Sequence, residues 1–179
     1  ADFADEQFTM SPQFSHAVRK VFCDWYHAGL IYRGERIVNW CPNCCTAISD
    51  DEAEYKDEHG HLWYLRYPLK EPVDGKEYIV VATTRPETML GDTGVAVNPK
   101  DERFGHLVGK TVKLPLVDRE IPIFADWHVD TEFGTGCVKV TPAHDPNDFA
   151  MGEAHDLEKI NVFDEHAHVV DGYGEFSGM

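Results

Sequence analysis

The chain has 179 residues, 42% of them hydrophobic, enough for one domain of ordinary size with flanking pieces, and this argues against disorder. Lys plus Arg number 16 against 32 Asp plus Glu, and the net charge of −16 excludes broad electrostatic binding of nucleic acid by this chain alone, leaving open a single-stranded end that enters a local pocket. The 5 cysteines are an odd number with three in one pentapeptide, which is no disulfide framework and points to a reducing cytosol.

The acidic start, residues 1–6, lacks the basic and apolar regions of a signal peptide, and no apolar run approaches the ~18 residues of a membrane helix, so no membrane partner is expected. The termini read as those of a segment of a longer protein. Ser11 and Pro12 suit the N-cap and first position of a helix. Phe14, Val18, Val21, Phe22 and Trp25 follow at helical spacing, and Gly29 suits its stop. That helix serves either as a docking face for the rest of a larger enzyme or as a helix on this domain's own core. Residues 36–40 form a strand candidate leading into Cys41-Pro42-Asn43-Cys44-Cys45. Cys41 and Cys44 have the spacing of two thiolates on a zinc knuckle, but zinc takes four ligands and no second Cys pair is present.

Residues 50–54 are acidic and expected at the surface. Residues 61–67 alternate with aromatic bulk and read as a strand, Pro72-Val73-Asp74-Gly75 as a turn, and residues 78–82 as a central buried strand. Pro86 to Leu90 suits a short helix closed by Gly91. Residues 111–117 and 120–124 read as two strands about a turn at Asp118-Arg119, with Pro115 and Pro122 marking edge or barrel-rim strands. Residues 160–163 and 166–170 read as final strands. Many short strands with few helices predict an α+β fold containing a closed or partly closed barrel.

The densest chemistry lies in residues 133–149. Gly134 and Gly136 flank Thr135, so backbone can approach a ligand closely there. Residues 137–141 alternate, placing Lys139 and Thr141 on the face opposite Val138 and Val140. Pro142 ends that strand; Asp145 suits an N-cap, Pro146 the first helical position and Asp148 the first turn of a helix running on to His155. Taken one at a time, Asp145 reads as a cap, Asp148 as a charge favoured by the helix dipole and Lys139 as a solvated strand residue. Gathered around one strand, turn and helix, they point to a site. His144 is a candidate base, although a lone His beside a cap is more often structural. No Ser-His-Asp or Cys-His signature is present, and Cys137 reads as a small buried hydrophobe.

This stretch, with Ala82-Thr83-Thr84-Arg85-Pro86-Glu87-Thr88-Met89-Leu90-Gly91-Asp92-Thr93, resembles the editing domains of class I aminoacyl-tRNA synthetases, and the run from Lys139 to Asp148 is most similar to the valyl branch. The resemblance implies a barrel-like domain decorated by helices, with an N-terminal helical flank. It implies residues 1–45 as the flank and knuckle, 46–171 as the editing domain and 172–179 as a tail. The implied activity is hydrolysis of the ester of threonine mischarged on tRNA(Val), post-transfer. The implied partners are the 3′-terminal single-stranded end of that tRNA and the remainder of the same synthetase. Asp148 would bind the substrate ammonium; Lys139, Thr141 and Asp145 would recognise the hydroxyl and its neighbours. Thr83, Thr84, Arg85 and Thr88 would meet the ester and terminal nucleotide, with Phe133, Gly134, Thr135, Gly136 and His144 around them. No cofactor is implied for the segment itself. Zinc on Cys41 and Cys44, completed by a Cys pair elsewhere, and ATP with magnesium would belong to the intact enzyme; Cys45 departs from the usual knuckle. The alternatives are a leucyl- or isoleucyl-type editing domain and a zinc-binding interaction module.

Overall fold

The computed structural model describes residues 8–179; the acidic run at residues 1–6 lies outside the described residues. The chain divides into two compact units, Ala1–Arg36 and Ile37–Met179. The first contains α1, Pro12–His27, which starts after Ser11 with Pro12 in the first turn and ends before Gly29 at φ +73°. Phe14, Val18, Val21, Phe22 and Trp25 on this helix are exposed. No helix among the described residues is long and apolar enough to cross a membrane.

The second unit opens with a small hairpin, β1 (Asn39–Cys41) against β2 (Thr46–Ile48). The second strand of this pair was not expected from the sequence. Six further strands form one mixed sheet: β3 (Trp63–Val73), β4 (Lys76–Thr83), β5 (Gly94–Val97), β6 (Thr111–Leu114), β7 (Arg119–Ala125) and β8 (Cys137–Val140). Their order is β4-β3-β6-β7-β5-β8, and β4 packs back on β8, so the sheet nearly closes into a barrel. The helix α2, Pro146–Ala154, and short 3-10 turns decorate it. The α+β, barrel-like architecture expected from the sequence is the one observed.

Alternation decides which side chains enter the barrel. On β5, Val95 and Val97 join the main core with Tyr67, Ile79, Val81, Val112, Ile121, Ile123 and Cys137. Ala96, between them, faces outward with Val140 and Val129, where Val138, Met151 and Leu157 pack against them. Each fully buried aliphatic side chain contributes about 1.5–3 kcal/mol. A third cluster, Leu90, Val162 and Val169 with Ile160, Phe163, Tyr173 and Phe176, ties the C-terminal segment down.

Three expectations are corrected and one strand was missed. β4 is a terminal strand of the sheet with an alternating face, not a central strand buried on both sides. β7 is not an edge: it pairs with β6 through Arg119 to Pro122 and with β5 from Ile123 onward. Pro122 is accommodated because the parallel ladder begins one residue later, so its missing N–H costs that ladder nothing. Residues 160–163 and 166–170 form only an isolated bridge, Phe163 to Val169. There Asp164 Oδ1 accepts from the backbone N–H groups of His166 and His168, and Ala167 adopts φ +64°, which bends the chain into a turn. The fully buried β5 was not anticipated at all.

Candidate functional site

β8 delivers Lys139 into the barrel end. Val95 pairs with Lys139 across β5–β8, so the lysine stands on the inward face beside Cys137. It is only 7% exposed, and its ammonium has three acceptors: Thr141 Oγ1 at 2.6 Å, Thr88 Oγ1 at 2.9 Å and Asp92 Oδ1 at 3.1 Å. Asp92, wholly buried, also accepts from Thr141 Oγ1 at 2.5 Å and, through Oδ2, from the Tyr67 hydroxyl at 2.5 Å. Burial pushes the Asp92 carboxyl upward and Lys139 opposes this; Thr141 and Tyr67 add further opposition. All three neighbours present donors, the arrangement of an ionised carboxylate. Burial, then the Asp92 charge, holds the Tyr67 hydroxyl well above its ordinary range.

The helix start lies beside this network. Asp145 caps α2 as expected, Oδ1 accepting from Asn147 N–H at 2.8 Å and Asp148 N–H at 3.2 Å. Asp148, one turn in, accepts from Thr141 N–H through Oδ2 at 2.8 Å. Burial pushes its carboxyl up to about 6, against the Thr141 bond, and Asp145 adds to the rise. The turn after β4 supplies the opposite wall. There Arg85 N–H donates to Thr83 Oγ1, and Thr88 Oγ1 donates to Arg85 O at 3.0 Å. Arg85 also donates through Nη1 to His144 O at 2.8 Å, which pins the two motifs together. His144 Nε2 accepts from Val162 N–H at 3.0 Å, so its basic nitrogen is already engaged and Nδ1 carries the proton. Burial, then Arg85 and Lys139, lowers its pKa to about 4.

These groups surround a solvent-open cavity of about 210 Å³. Its lining holds Thr83, Thr84, Arg85, Thr88, Phe133, Lys139, Thr141, His144, Asp145 and Asp148, along with Leu62, Ala82 and Val138, which the sequence reading did not single out. Phe133, 70% exposed, stands at its mouth. Gly134, Thr135 and Gly136 do not line it. They form the turn before β8: Thr135 Oγ1 bonds to Cys137 backbone, and a Cβ on Gly136 would fall 2.5 Å from Arg103 Nη2. Gly136 at φ +78° thus serves a close approach within the protein. The main omission of the sequence reading is Asp92. The sequence carried no direct signal for it: a buried lysine requires a buried counter-charge, but that Lys139 faces inward is set only by the pairing of β8 in the barrel.

Cys41 and Cys44 sit on the β1–β2 knuckle. Backbone N–H groups of Cys44 and Asn43 favour the Cys41 thiolate, while Cys41 raises Cys44. Cys45, at φ +50°, places Sγ 3.4 Å from His166 Nδ1, and Trp40 Nε1 donates to Glu165 O at 2.8 Å, so the knuckle rests on the 164–168 turn. Among the described residues no group of three or more His, Cys, Asp or Glu is arranged to hold a metal ion. Two clustered thiolates fall short of the four ligands of a closed zinc site.

Fold and cavity together define an α+β barrel domain with a solvent-open cavity at one end, into which threonine, lysine, arginine and carboxylate side chains converge. The chain belongs to the class I tRNA synthetases (I, L, M and V), whose family model matches residues 1–160. It is 59% identical over 179 residues, its whole length, to the valine--tRNA ligase of Clostridium tetani. It is 56% identical over 99% of the chain to that of Thermotoga maritima and 59% over 99% to that of Synechocystis sp.. The chain spans about a fifth of the length of these curated relatives (19–20%). A solved LeuRS-tRNA-LeuAMS ternary complex from Agrobacterium radiobacter K84 matches 92% of this chain and 30% of its own at 20% identity, with a TM-score of 0.49.

Proposed function

We propose that this chain is the editing domain of a valine--tRNA ligase, hydrolysing the ester that joins threonine to the terminal adenosine of tRNA(Val). One observation carries the reading: a single small cavity gathers the threonine-rich turn, Lys139, Thr141 and the two carboxylates of the α2 start. Threonine and valine are nearly isosteric, and valyl-tRNA synthetase against threonine is the standard example of a pocket that cannot reject an added hydroxyl. A second site succeeds by offering hydrogen bonds that threonine alone satisfies, each stranded polar group costing about 1–3 kcal/mol.

Asp148 binds the α-ammonium. Its carboxylate is oriented by Thr141 N–H and held in a partly desolvated place where an arriving cation stabilises the charged form. Thr141, Asp145 and the Lys139 network recognise the hydroxyl. Thr83, Thr84, Arg85 and Thr88 flank the ester, and Phe133 offers a stacking surface at the mouth. The nucleophile is water positioned by the site and by the substrate's own ribose hydroxyl: its oxygen joins the acyl carbon, the ester C–O bond breaks, and the ribose oxygen leaves with a proton. His144 is not needed as a base, consistent with its engaged Nε2. The partners are the single-stranded 3′ end of tRNA(Val) and the rest of a longer synthetase, which would supply ATP chemistry and any further zinc ligands.

The test places this chain in the full-length Thermotoga maritima enzyme, in lieu of the corresponding segment, and compares release of threonine and valine from the two charged forms of tRNA(Val). Threonine release should dominate. Asp148→Ala should lower it about 30-fold or more, the effect of removing one partner from a desolvated charge pair. Equal release of both amino acids, undiminished release by the variant, or a preference for isoleucyl esters would each defeat the reading.

A further inference from the structure

Every proton of the Lys139 ammonium is committed inside the protein. It donates to Thr88 Oγ1, Asp92 Oδ1 and Thr141 Oγ1, and an ammonium has three protons. The threonine hydroxyls are committed as well: Thr141 donates to Asp92 Oδ1 and Thr88 donates to Arg85 O. Each has accepted one bond from Lys139, so each retains one lone pair and no free proton. Both threonines line the cavity. The wall they form therefore accepts hydrogen bonds and donates none. What holds it in that state is Asp92, whose Oδ1 takes bonds from Lys139 and Thr141 and whose Oδ2 is fixed by the buried Tyr67 hydroxyl.

We infer that Asp92, seconded by Tyr67, is the positioning residue that sets the polarity of this wall, so that Lys139 organises recognition without touching the substrate and Thr141 accepts the proton of a β-hydroxyl. This rests on the editing reading and adds the groups that confer its selectivity. The chemical class admitted is an α-amino ester whose β-carbon carries a hydrogen-bond donor. A methyl in the same place has no proton to offer. With Asp92 replaced by an amide, Thr141 loses its anionic acceptor, its hydroxyl is free to turn outward, and the wall no longer distinguishes the two.

The experiment measures threonine and valine release from tRNA(Val) by the same full-length chimera, bearing Asp92→Asn or Tyr67→Phe, alongside thermal melts and the ¹⁵Nζ NMR signal of Lys139 in this chain. The wild type should discriminate between the esters and show a slowly exchanging Lys139 ammonium. Asp92→Asn should reduce the threonine-to-valine ratio at least tenfold and abolish the slow exchange. Tyr67→Phe removes a single oxygen from a packed ring; it should keep the fold and reduce the ratio two- to fivefold, so it decides the matter if Asp92→Asn does not fold. A purely structural role would lower the melting temperature or both rates together and leave the ratio unchanged. That outcome in Tyr67→Phe, or in a folded Asp92→Asn, overturns the inference while the editing reading stands. A wild type that shows no discrimination overturns the editing reading itself.

Discussion

Asp148 is a carboxylate the fold holds against its own stability. Its folded pKa of about 6 lies above the ordinary 3.8, because burial disfavours the anion more than the Thr141 N–H favours it. The sign follows directly. Below about pH 4 the group is protonated folded and unfolded, and nothing is lost; as pH rises through about 6 the folded state must carry a penalised charge, and stability falls. Asp148→Asn keeps an oxygen for the Thr141 N–H and removes that charge. It should raise stability by about 1–2 kcal/mol at pH 8, with the advantage vanishing near pH 4, while abolishing threonine release. Thermal melts of the two proteins at pH 4, 6 and 8 check it; a variant less stable at pH 8 contradicts the account. Lys139 is the converse case, a buried cation whose partners are all in place, so no comparable relief is expected from altering it.

At the scale of elements, the site depends on how α2 lies over the end of β8. The helix begins at the Asp145 cap and presents Asp148 to Thr141, while Gly152 lies against the turn that ends the strand. A Cβ at Gly152 would approach Pro142 Cβ and Cγ at 2.8 Å, too close for either rigid group to yield. Helix propensity alone favours Gly152→Ala by about 1 kcal/mol. Overpacking should win, giving a net loss of about 1–2 kcal/mol, a melting temperature lower by roughly 3–6 °C and reduced threonine release as Asp148 is displaced. Gly60→Ala, with nothing within 4 Å of its Cβ, should change neither quantity. The β1–β2 knuckle gives a separate prediction: with only two clustered thiolates of zinc-ligand spacing, elemental analysis of this chain should find well under one zinc per molecule.

For the whole molecule the dominant fact is a net charge of −16. Few phosphates can be neutralised by such a surface, so tRNA binding by this chain alone should be weak, with a log–log salt slope no steeper than about −2. A nanomolar complex with a steep slope, in a titration from low to physiological salt, would show a local basic track that the overall charge conceals. Much of the molecule was legible because its signals are local. Ser11 with Pro12, Asp145 with Pro146, and the alternation of residues 137–141 each report on neighbours within one turn or one strand, and each element starts where those residues place it. β5 escaped notice because all four of its residues are buried, leaving no alternation to read. Pro122 suggested an edge because sheet order is not written in any single strand.

The amino-acid sequence by itself determined the class of fold, the helix that presents Asp148 and the polar residues that meet in the cavity, since caps, prolines and periodicity act over a few residues. Only the tertiary structure decided which way the polar face of β8 turns and what awaits it there. Asp92 lies 25 residues from Tyr67, 47 from Lys139 and 49 from Thr141, and these separations close only when the sheet curls round. An ammonium in a barrel is stable only with that carboxylate beside it, and desolvation, the force that makes the pairing obligatory, does not exist until the strands have closed.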